Sequence, residues 1–574
     1  MKIIRNLFLF LALLFVTAHE AWAQQTDGTS RLKARITDVG VVASDIMLWT
    51  AENQDTHAMD TTVTSESYIL WQSNGDLDEQ AEQHRIDTEA IRSQHRDKLA
   101  ASGRRRVKPI EQEGCLHNMF ATFEYYVFTF EYPSVDADGQ EVMLSGIAAC
   151  PTKDADEVRD VVIGTHATIT ANHQSPSAQT KGFKKDDWGV LMSFAAGKKM
   201  KLGWRANLTF GVFLPFWPFW MGLGIAAEVK SGEEAFNNNL VILADYEGYG
   251  KTSDRAHPYL YQELTARQVV DATRAGIELY KTDPGLSDIR HPIRSDFRSI
   301  SCGYSQGGSV ALATHRYIEQ NGLVDELHFV GSLCGDGPYD PMATLMYYMK
   351  NDLAGKKMSM PVVLPLIIKG MLDSNPYMKG HQATDYFQTE FLESGIMDWL
   401  TEKKMTTGDI ENAWKQTGGI FDQDGRVMMR DVMKPECYAY FKHLYDEYQS
   451  SFTDKAGIPL PTTRGVLEDL HLAIASNDLT QGWTPQHTIL LYHSDADPVV
   501  PYENAKSAEN RLDGWTVLLT SSENLDHVPA GIDFFQGEKS NIIENFGIRV
   551  YVAKKQLCEL PWKNQKKGSI TSWE

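Results

Sequence analysis

Cysteine is scarce in this chain of 574 residues and is never clustered. Its six cysteines include no C-x-x-C pair, so neither a zinc site nor a small disulfide scaffold is indicated. Export would still permit one or two disulfides. Cys302 and Cys334 each end an apolar run, where we expect burial as small hydrophobic side chains. The other cysteines are Cys115, Cys150, Cys437 and Cys558.

Positive charge is also in short supply. The formal net charge is -21, and the only dense basic run is Arg104–Arg106. Nucleic acid is a polyanion, so we expect no nucleic-acid partner for a chain of this charge. A solvated acidic surface is the simpler interpretation.

Residues 1–23 have the pattern of a secretory signal peptide. A short basic start is followed by an apolar stretch at 7–16 and by the small-residue site Ala21-Trp22-Ala23. The apolar stretch is too short to span a bilayer comfortably. We therefore expect export to the periplasm or the medium, with a mature chain beginning near Gln24, and the alternative is a retained membrane anchor.

A G-x-S-x-G motif, Gly303-Tyr304-Ser305-Gln306-Gly307, directly follows the apolar run 297–302. A serine between small residues at a strand-to-helix junction can occupy a strained turn that exposes its hydroxyl group. Because glycine and serine are common, the motif is informative only together with its sequence context. It makes Ser305 the candidate nucleophile of an α/β-hydrolase.

The apolar runs of the chain predict an α/β fold with a mostly parallel central sheet. Two β-rich runs, 125–130 and 142–147, flank the turn 136–139 and predict a hairpin. Continuous apolar runs separated by helix-like stretches follow, as is typical of parallel strands covered by helices on both faces. These runs are 161–164, 240–244, 297–302, 327–331, 488–492 and 515–520.

The spacing of these runs predicts a large insertion. About 150 residues separate the run near 327–331 from the next one, where a single crossover helix needs roughly 12. We interpret 336–485 as a helical cap on a core formed by 115–335 and 486–574. Residues 24–114 form an N-terminal extension to which we assign no chemistry, and 76–101 within it reads as a surface helix.

A second insertion contains residues 208–227, which carry no charge and many aromatic side chains. Their length would suffice to cross a membrane, but Pro215 and Pro218 interrupt the segment. A buried core segment is one interpretation. The other is an aromatic lid near the mouth of the site, with peripheral contact to a membrane or lipid interface.

A nucleophilic serine needs a general base and a group that orients the base. In α/β-hydrolases these follow the serine in the order acid, then histidine, each after a strand. His527 follows the last predicted strand and is the candidate base. Asp495 and Asp497 follow the preceding strand, and Asp336 follows the strand before that.

Residues 493–501, H-S-D-A-D-P-V-V-P, resemble the H-G-x-x-D-x-x-V-P signature of α/β-hydrolases. The aspartate of that signature is the triad acid, and the resemblance assigns this role to Asp497. Asp495 falls two residues too early, and Ser494 replaces the usual glycine. Some hydrolases take their acid after the preceding strand, which keeps Asp336 as the alternative.

Two backbone N–H groups should hold the developing oxyanion. One belongs to Gln306, directly after the nucleophile. Residues 164–168, G-T-H-A-T, resemble the family's oxyanion loop and imply the N–H of Thr168 as the second donor, although Ala167 replaces a glycine.

Three further motifs narrow the resemblance to the secretory-lipase-like branch of the α/β-hydrolases. They are D-Y-E-G-Y-G at 245–250, H-P-Y at 257–259 and D-A-T-R-A at 271–275. That branch also carries a large helical cap before the acid. The resemblance covers about 125–555 and is specific for the fold and triad.

The resemblance implies an exported serine ester hydrolase, a lipase or carboxylesterase that works through an acyl-enzyme on small-molecule or lipid esters. It implies no metal and no organic cofactor. A serine peptidase and an acyl-sugar esterase of the same fold are the enzymatic alternatives. An inactive hydrolase-like binding protein is the alternative from another class.

Overall fold

A computed structural model describes residues 33–52, 59–75, 79–80, 83, 107–109, 125–152, 157–181, 199–200, 239–512, 517–520 and 524–536. These residues form one 12-stranded sheet flanked by helices. The strands are β1 (Arg35–Glu52), β2 (Met59–Trp71), β3 (Val107–Pro109), β4 (Tyr125–Val135), β5 (Glu141–Thr152), β6 (Val158–Thr165), β7 (Lys199–Met200), β8 (Asn239–Ala244), β9 (Ile293–Tyr304), β10 (Phe329–Gly335), β11 (Thr488–Tyr492) and β12 (Val517–Thr520).

The strand order in the sheet is β12-β11-β10-β9-β6-β8-β5-β4-β1-β2-β7, with β3 paired to β1. Every neighbouring pair from β12 to β8 is parallel. β5 runs antiparallel to both β8 and β4, and it is the only reversed strand among the eight from β12 to β4. The predicted mostly parallel core is confirmed.

The predicted hairpin is also confirmed, because β4 and β5 pair around a tight turn at 136–139. The Asp136 carboxylate accepts hydrogen bonds from the backbone N–H groups of Asp138 and Gln140, and Gly139 supplies a left-handed conformation with φ +75°. Each predicted apolar run overlaps a strand. The run 327–331 is displaced by two residues, because α3 (Val324–Leu327) precedes β10.

The N-terminal extension adds strands to the sheet, which the sequence did not predict. β1 pairs with β4 on one side and with β2 on the other, both antiparallel. At the junction, Arg35 donates hydrogen bonds to the Glu131 carboxylate. Most of the surface helix expected at 76–101, and all of the aromatic segment 208–227, lie outside the described residues.

Helices cover the sheet, and most of those described lie in the stretch of chain that connects β10 to β11. Of the described helices, α1 and α2 pack against the parallel strands, α4 to α11 belong to the insertion, and α12 and α13 follow β11 and β12. Their bounds are α1 (Gln262–Thr282), α2 (Gln306–Gln320), α3 (Val324–Leu327), α4 (Pro341–Leu353), α5 (Val363–Ser374), α6 (Thr389–Leu392), α7 (Ile396–Glu402), α8 (Thr407–Thr417), α9 (Met429–Val432), α10 (Pro435–Tyr448), α11 (Val466–Ala475), α12 (Glu503–Arg511) and α13 (His527–Gln536).

The insertion has a hydrophobic core of its own. Trp414 stacks on Phe421 with ring centroids 4.9 Å apart, and Phe391 packs against both rings. All three side chains belong to one buried cluster that continues through α4, α5 and α11. Burial of aromatic rings of this size contributes strongly to stability, so the insertion is a packed unit and not a long loop.

Lys403 fastens the insertion to the core. Its ammonium group donates hydrogen bonds to the carbonyl oxygens of Gly248 at 2.7 Å and Ser253 at 2.9 Å, and to that of Arg255. Burial lowers the pKa of Lys403 to about 8. The three carbonyls belong to the loop after β8, so this contact ties the cap to the edge of the sheet where the parallel strands end.

The four described cysteines, Cys150, Cys302, Cys334 and Cys437, are buried free thiols. Burial of Cys302 and Cys334 is therefore confirmed. None of the helices within the described residues combines the length and the apolar character that crossing a bilayer requires.

Candidate active site

Ser305 sits on a strained turn between β9 and α2. Its backbone has φ 60° and ψ −127°, a conformation that costs free energy in a residue with a side chain. The turn also needs a bare backbone behind it: a Cβ atom at Gly307 would lie 2.2 Å from the Thr165 carbonyl oxygen, and one at Gly303 would lie 2.2 Å from the Thr165 hydroxyl. The glycines of the motif are thus required by close packing against β6.

His527 and Asp497 complete a hydrogen-bonded chain with Ser305. His527 Nε2 lies 2.8 Å from Ser305 Oγ, and His527 Nδ1 lies 2.5 Å from Asp497 Oδ2. The three residues come from the carboxyl ends of β9, β11 and β12, which are in register at this edge of the sheet. The structure thus brings together the three residues that the motifs singled out.

The loop after β11 holds Asp497 as an anion. Asp497 Oδ1 accepts hydrogen bonds from the backbone N–H groups of Val499 at 2.8 Å and Val500 at 2.9 Å. Burial by itself would raise the pKa of this carboxyl group, but the contact with His527 outweighs it and the pKa lies below its ordinary value. A carboxylate in this state fixes the Nδ1–H tautomer of His527.

Asp336, the alternative acid, lies behind this chain. Its Oδ2 is 2.6 Å from the Tyr304 hydroxyl, and its Oδ1 accepts a hydrogen bond from the Ser494 backbone N–H at 3.0 Å. The contact to His527 Nδ1 is made by Asp497. Asp495, two residues earlier, is exposed and accepts a hydrogen bond from the Asn524 backbone.

One expected oxyanion donor directly follows Ser305 in the chain, and the other lines the same cavity as Ser305. Gln306 is the first residue of α2, where backbone N–H groups have no partner within the helix. Thr168 lines the cavity in front of Ser305. Its hydroxyl is 2.9 Å from the Tyr259 hydroxyl. This hydrogen bond helps to fix the loop that follows β6.

The D-Y-E-G-Y-G motif at 245–250 supports the same loop. The hydroxyl of Tyr246 donates to the carbonyl of His166 at 3.0 Å, and that of Tyr249 donates to the carbonyl of Ile169 at 2.6 Å. The rings of Tyr246 and His166 stack 3.8 Å apart. Two tyrosine hydroxyls therefore hold the backbone on both sides of Thr168.

His257 of the H-P-Y motif orients the Gln306 side chain. Its Nδ1–H donates to the Glu247 carbonyl at 2.8 Å, so Nε2 accepts from the Gln306 amide at 3.1 Å. Burial lowers the pKa of His257 to about 3, which keeps it neutral. His257, like Tyr246 and Tyr249, therefore positions neighbouring groups and does not act as a base.

A cavity of about 290 Å³ opens in front of Ser305 between the core and the cap. Its wall is mostly apolar. The charged residue on the cap side is Glu411 of α8, whose side chain makes no hydrogen bond or ion pair with the described residues. Cavity residues from the cap include Met360, Val363, Ile367, Thr407, Gly408 and Glu411, and those from the core include Thr168, Tyr259, Ser305, Val499, Val500 and His527.

Two groups of described side chains bring three potential metal ligands together: His315 with Glu319 and His487, and Asp336 with Asp497 and His527. Within them, the histidine-to-carboxylate distances of 2.5 and 2.6 Å are hydrogen-bond lengths. Ligands of one tetrahedral zinc ion would lie roughly 3.3 Å apart. Both groups fit a hydrogen-bonded histidine better than a bound zinc ion.

Comparison with known proteins identifies the fold. No protein-family model matches the chain, and no curated protein sequence matches it significantly. The ligand-bound rice cell wall degrading esterase LipA from Xanthomonas oryzae superposes with a TM-score of 0.51 at 20% identity, covering 76% of this chain and 91% of that one. A Legionella pneumophila protein, named as a hydrolase, gives a TM-score of 0.50 at 16% identity with 76% and 90% coverage. This chain has the α/β-hydrolase fold.

Proposed function

We propose that the protein is an exported serine ester hydrolase in which Ser305 is the nucleophile, His527 the general base and Asp497 the acid of the triad. The observation that carries the proposal is the 2.8 Å contact of Ser305 Oγ with His527 Nε2 on a strained turn that faces a cavity. A serine hydroxyl gains nucleophilicity only next to such a base.

The first half of the reaction forms an acyl-enzyme. Ser305 Oγ attacks the ester carbonyl carbon while His527 Nε2 takes the hydroxyl proton. Asp497 accepts the Nδ1–H hydrogen bond and stabilises the imidazolium ion that results. The imidazolium then returns the proton to the departing alkoxide, the carbon–oxygen bond breaks, and the alcohol leaves.

The second half reverses these roles with water. His527 removes a proton from a water molecule, which attacks the acyl carbonyl and releases the acid, and Ser305 recovers its proton. In both halves the negative charge on the carbonyl oxygen is stabilised by the backbone N–H groups of Gln306 and Thr168. Donors fixed before the reaction are worth several kcal/mol in such a site, about 10²–10³ in rate for one donor.

The cavity supports an ester with a short or medium acyl chain. Its volume of about 290 Å³ lies near the lower end of the range for small-molecule pockets. Apolar side chains from the cap, including Met360 and Ile367, would surround the acyl group. The esterase name of one similar structure supports the same reaction class.

A second candidate is favoured by Glu411. A carboxylate that lines the cavity without a hydrogen-bonded partner could bind the ammonium group of a substrate with a free amine. The same triad cleaves amides, so a serine peptidase is the alternative that this one side chain supports. Glu411→Gln would abolish activity on such substrates and leave neutral esters unaffected.

One panel of assays tests the reaction class. Short and long nitrophenyl esters, acylated sugars and aminoacyl nitroanilides are supplied to the wild type and to Ser305→Ala, and a fluorophosphonate probe is supplied to both. We expect labelling of Ser305 and turnover of neutral esters by the wild type alone. Faster turnover of aminoacyl nitroanilides would favour the peptidase, and absence of labelling would favour a hydrolase-like binding protein.

Export is proposed from residues 1–23. The basic start, the apolar stretch and the A-x-A site favour cleavage near Gln24. N-terminal sequencing of the protein recovered from the periplasm or medium tests this. Recovery of the full-length chain in the membrane fraction would indicate a retained anchor instead.

A further inference from the structure

Two aspartates converge behind His527. Asp336 follows β10 and Asp497 follows β11, which are neighbouring parallel strands, and one carboxyl oxygen of each residue lies within 4.8 Å of the other. The residues are only 0% and 2% exposed. Two carboxylates at this distance in a buried site cannot both be ionised, so the pair holds one proton.

The hydroxyl group of Tyr304 gives an independent count of protons. It lies 2.6 Å from the carbonyl oxygen of His527 and 2.6 Å from Asp336 Oδ2. Tyr304 has one proton for these two contacts. Because the carbonyl oxygen can only accept a hydrogen bond, we assign the Tyr304 proton to the carbonyl. The contact with Asp336 is then a good hydrogen bond if the Asp336 carboxyl group is the donor.

The surroundings decide which aspartate carries the proton. Asp497 accepts hydrogen bonds from His527 Nδ1 and from two backbone N–H groups, of Val499 and Val500. Asp336 accepts one backbone N–H, that of Ser494. A carboxylate with three donors is stabilised far more than one with a single donor, so the charge belongs on Asp497.

The other titratable groups around the pair do not alter this assignment. Tyr304 on β9, Tyr339 after β10 and Tyr492 at the end of β11 are neutral phenols. Burial lowers the pKa of His493 to about 4, so its ring is neutral too. Burial, followed by the charge of Asp497, raises the pKa of Asp336 well above its ordinary value.

We propose that Asp336 is a neutral carboxylic acid that positions the His527–Asp497 pair. Its proton meets the oxygen of Tyr304, whose own hydroxyl holds the backbone carbonyl of His527. Because Asp336 is neutral, it does not repel the Asp497 carboxylate that orients His527. Asp336 is a positioning residue that acts through these neighbours. The proposal rests on the function proposed above, which supplies the role of His527.

The pH dependence of Asp336→Asn tests the protonation state. The acid limb of the kcat/KM profile reports deprotonation of His527 in the free enzyme. An amide has the same shape and charge as a neutral acid, so we expect the limb to stay in place and kcat to stay within about threefold of wild type. Asp336→Ala removes the donor and should lower kcat about tenfold with little change in KM.

An ionised Asp336 predicts a different result. Replacing an anion near His527 by an amide would destabilise the imidazolium ion, and the acid limb of Asp336→Asn would move by about one pH unit to lower pH. That outcome would overturn the proposal. The rate of fluorophosphonate labelling against pH gives the same profile without a choice of ester.

Infrared spectroscopy reads the proton directly and does not depend on activity. We expect the wild type to show, near neutral pH, a carbonyl stretch of a protonated carboxyl group that Asp336→Asn removes. Asp352→Asn is the matched control, because Asp352 is about equally buried and its carboxyl group is paired with Arg430. An unchanged spectrum in Asp336→Asn would refute the proposal. Failure of fluorophosphonate to label the wild type would refute the function alone.

Discussion

Two of the buried histidine–carboxylate contacts among the described residues have nearly equal lengths, and one of them lies beside the cavity that Ser305 lines. His527 Nδ1 lies 2.5 Å from Asp497, and His487 Nδ1 lies 2.6 Å from Glu319. Both histidines are almost fully buried. The first contact lies at the carboxyl ends of the parallel strands, and the second lies at the beginning of β11, at the opposite edge of the sheet.

In the second contact, Glu319 also accepts hydrogen bonds from other neighbouring groups. These bonds come from His315 Nε2 at 3.0 Å and from the backbone of Gln486 and His487, while His315 Nδ1 lies 2.9 Å from Ser332 Oγ. These contacts join α2 to the start of β11. In the first contact, by contrast, His527 Nε2 is directed at the hydroxyl of a serine on a strained turn beside a cavity.

The difference shows that a short contact between histidine and carboxylate does not define a catalytic site. The structural cluster, His315 with Glu319 and His487, uses every group to hold two elements together. In the proposed catalytic cluster, Ser305 with His527 and Asp497, one nitrogen of the histidine faces the serine that we propose as the nucleophile. Substitutions in the two clusters should therefore separate stability from activity.

The largest effect is expected from removing the nucleophile. Ser305→Ala should lower kcat by at least about 10⁴-fold, because the triad acts as a unit. The strained backbone conformation of Ser305 does not stabilise the fold, so the melting temperature should not fall. Ser332→Ala is the control, since its hydroxyl contacts His315 in the structural cluster. Equal loss of ester turnover in both variants would contradict the comparison.

The next largest effect is on stability. Glu319→Ala leaves two buried histidines and two backbone N–H groups without their acceptor, and it should lower the free energy of unfolding by about 3–5 kcal/mol. Denaturant unfolding measures this loss. The kcat of the remaining folded enzyme should match the wild type. A selective fall in kcat would mean that the structural cluster communicates with the triad.

Acid should weaken the structural cluster in a defined range. Burial by itself would raise the pKa of Glu319, but hydrogen bonds from His315 and His487 outweigh it and lower the pKa to about 2. A carboxyl group with a depressed pKa stabilises the fold above its unfolded pKa, near 4.5, and loses that contribution as the pH falls to about 2.

The size of this contribution follows from the same two pKa values and is roughly 3 kcal/mol. Unfolding free energies measured across this pH range should therefore fall more steeply for the wild type than for Glu319→Gln, which has no carboxylate to titrate. Parallel curves for the two proteins would show that Glu319 has an ordinary pKa.

The smallest effect concerns the cavity that distinguishes the two clusters. Met360→Trp should narrow the space in front of Ser305 and lower kcat/KM for long-chain esters about tenfold, with acetyl esters nearly unchanged. The ratio of the two substrates measures the change and controls for folding. Equal loss on both substrates would place the acyl group elsewhere.

The sequence predicted the fold because the buried parallel strands appear as uninterrupted apolar runs. It did not predict β1 and β2, which extend the sheet by antiparallel pairing and lack the continuous apolar runs of the parallel strands. Ser305 was identifiable from its glycine neighbours, since close packing against β6 tolerates no side chain there.

Other parts of the site depend on tertiary contacts that no local pattern encodes. Asp336 and Asp497 both follow a strand, and the side chain that reaches His527 Nδ1 is decided only by how the two loops lie together. Lys403 stands next to Lys404 in the sequence, yet only Lys403 is buried among carbonyl groups. Likewise, no local pattern indicates that the hydroxyl groups of Tyr246 and Tyr249 donate hydrogen bonds to the loop that carries Thr168.

The entry and exit points of the cap have a consequence for how this protein could diversify. The chain leaves the sheet after β10 and returns at β11, and these strands are adjacent, with Gly335 paired to Tyr492 at the shared edge. A different cap spliced between these two points would leave the register of every core strand unaltered. Such an exchange would replace the cap side of the cavity. The contacts to rebuild would include those of the Lys403 ammonium group with the loop after β8 and of the Tyr348 hydroxyl with the Val499 carbonyl.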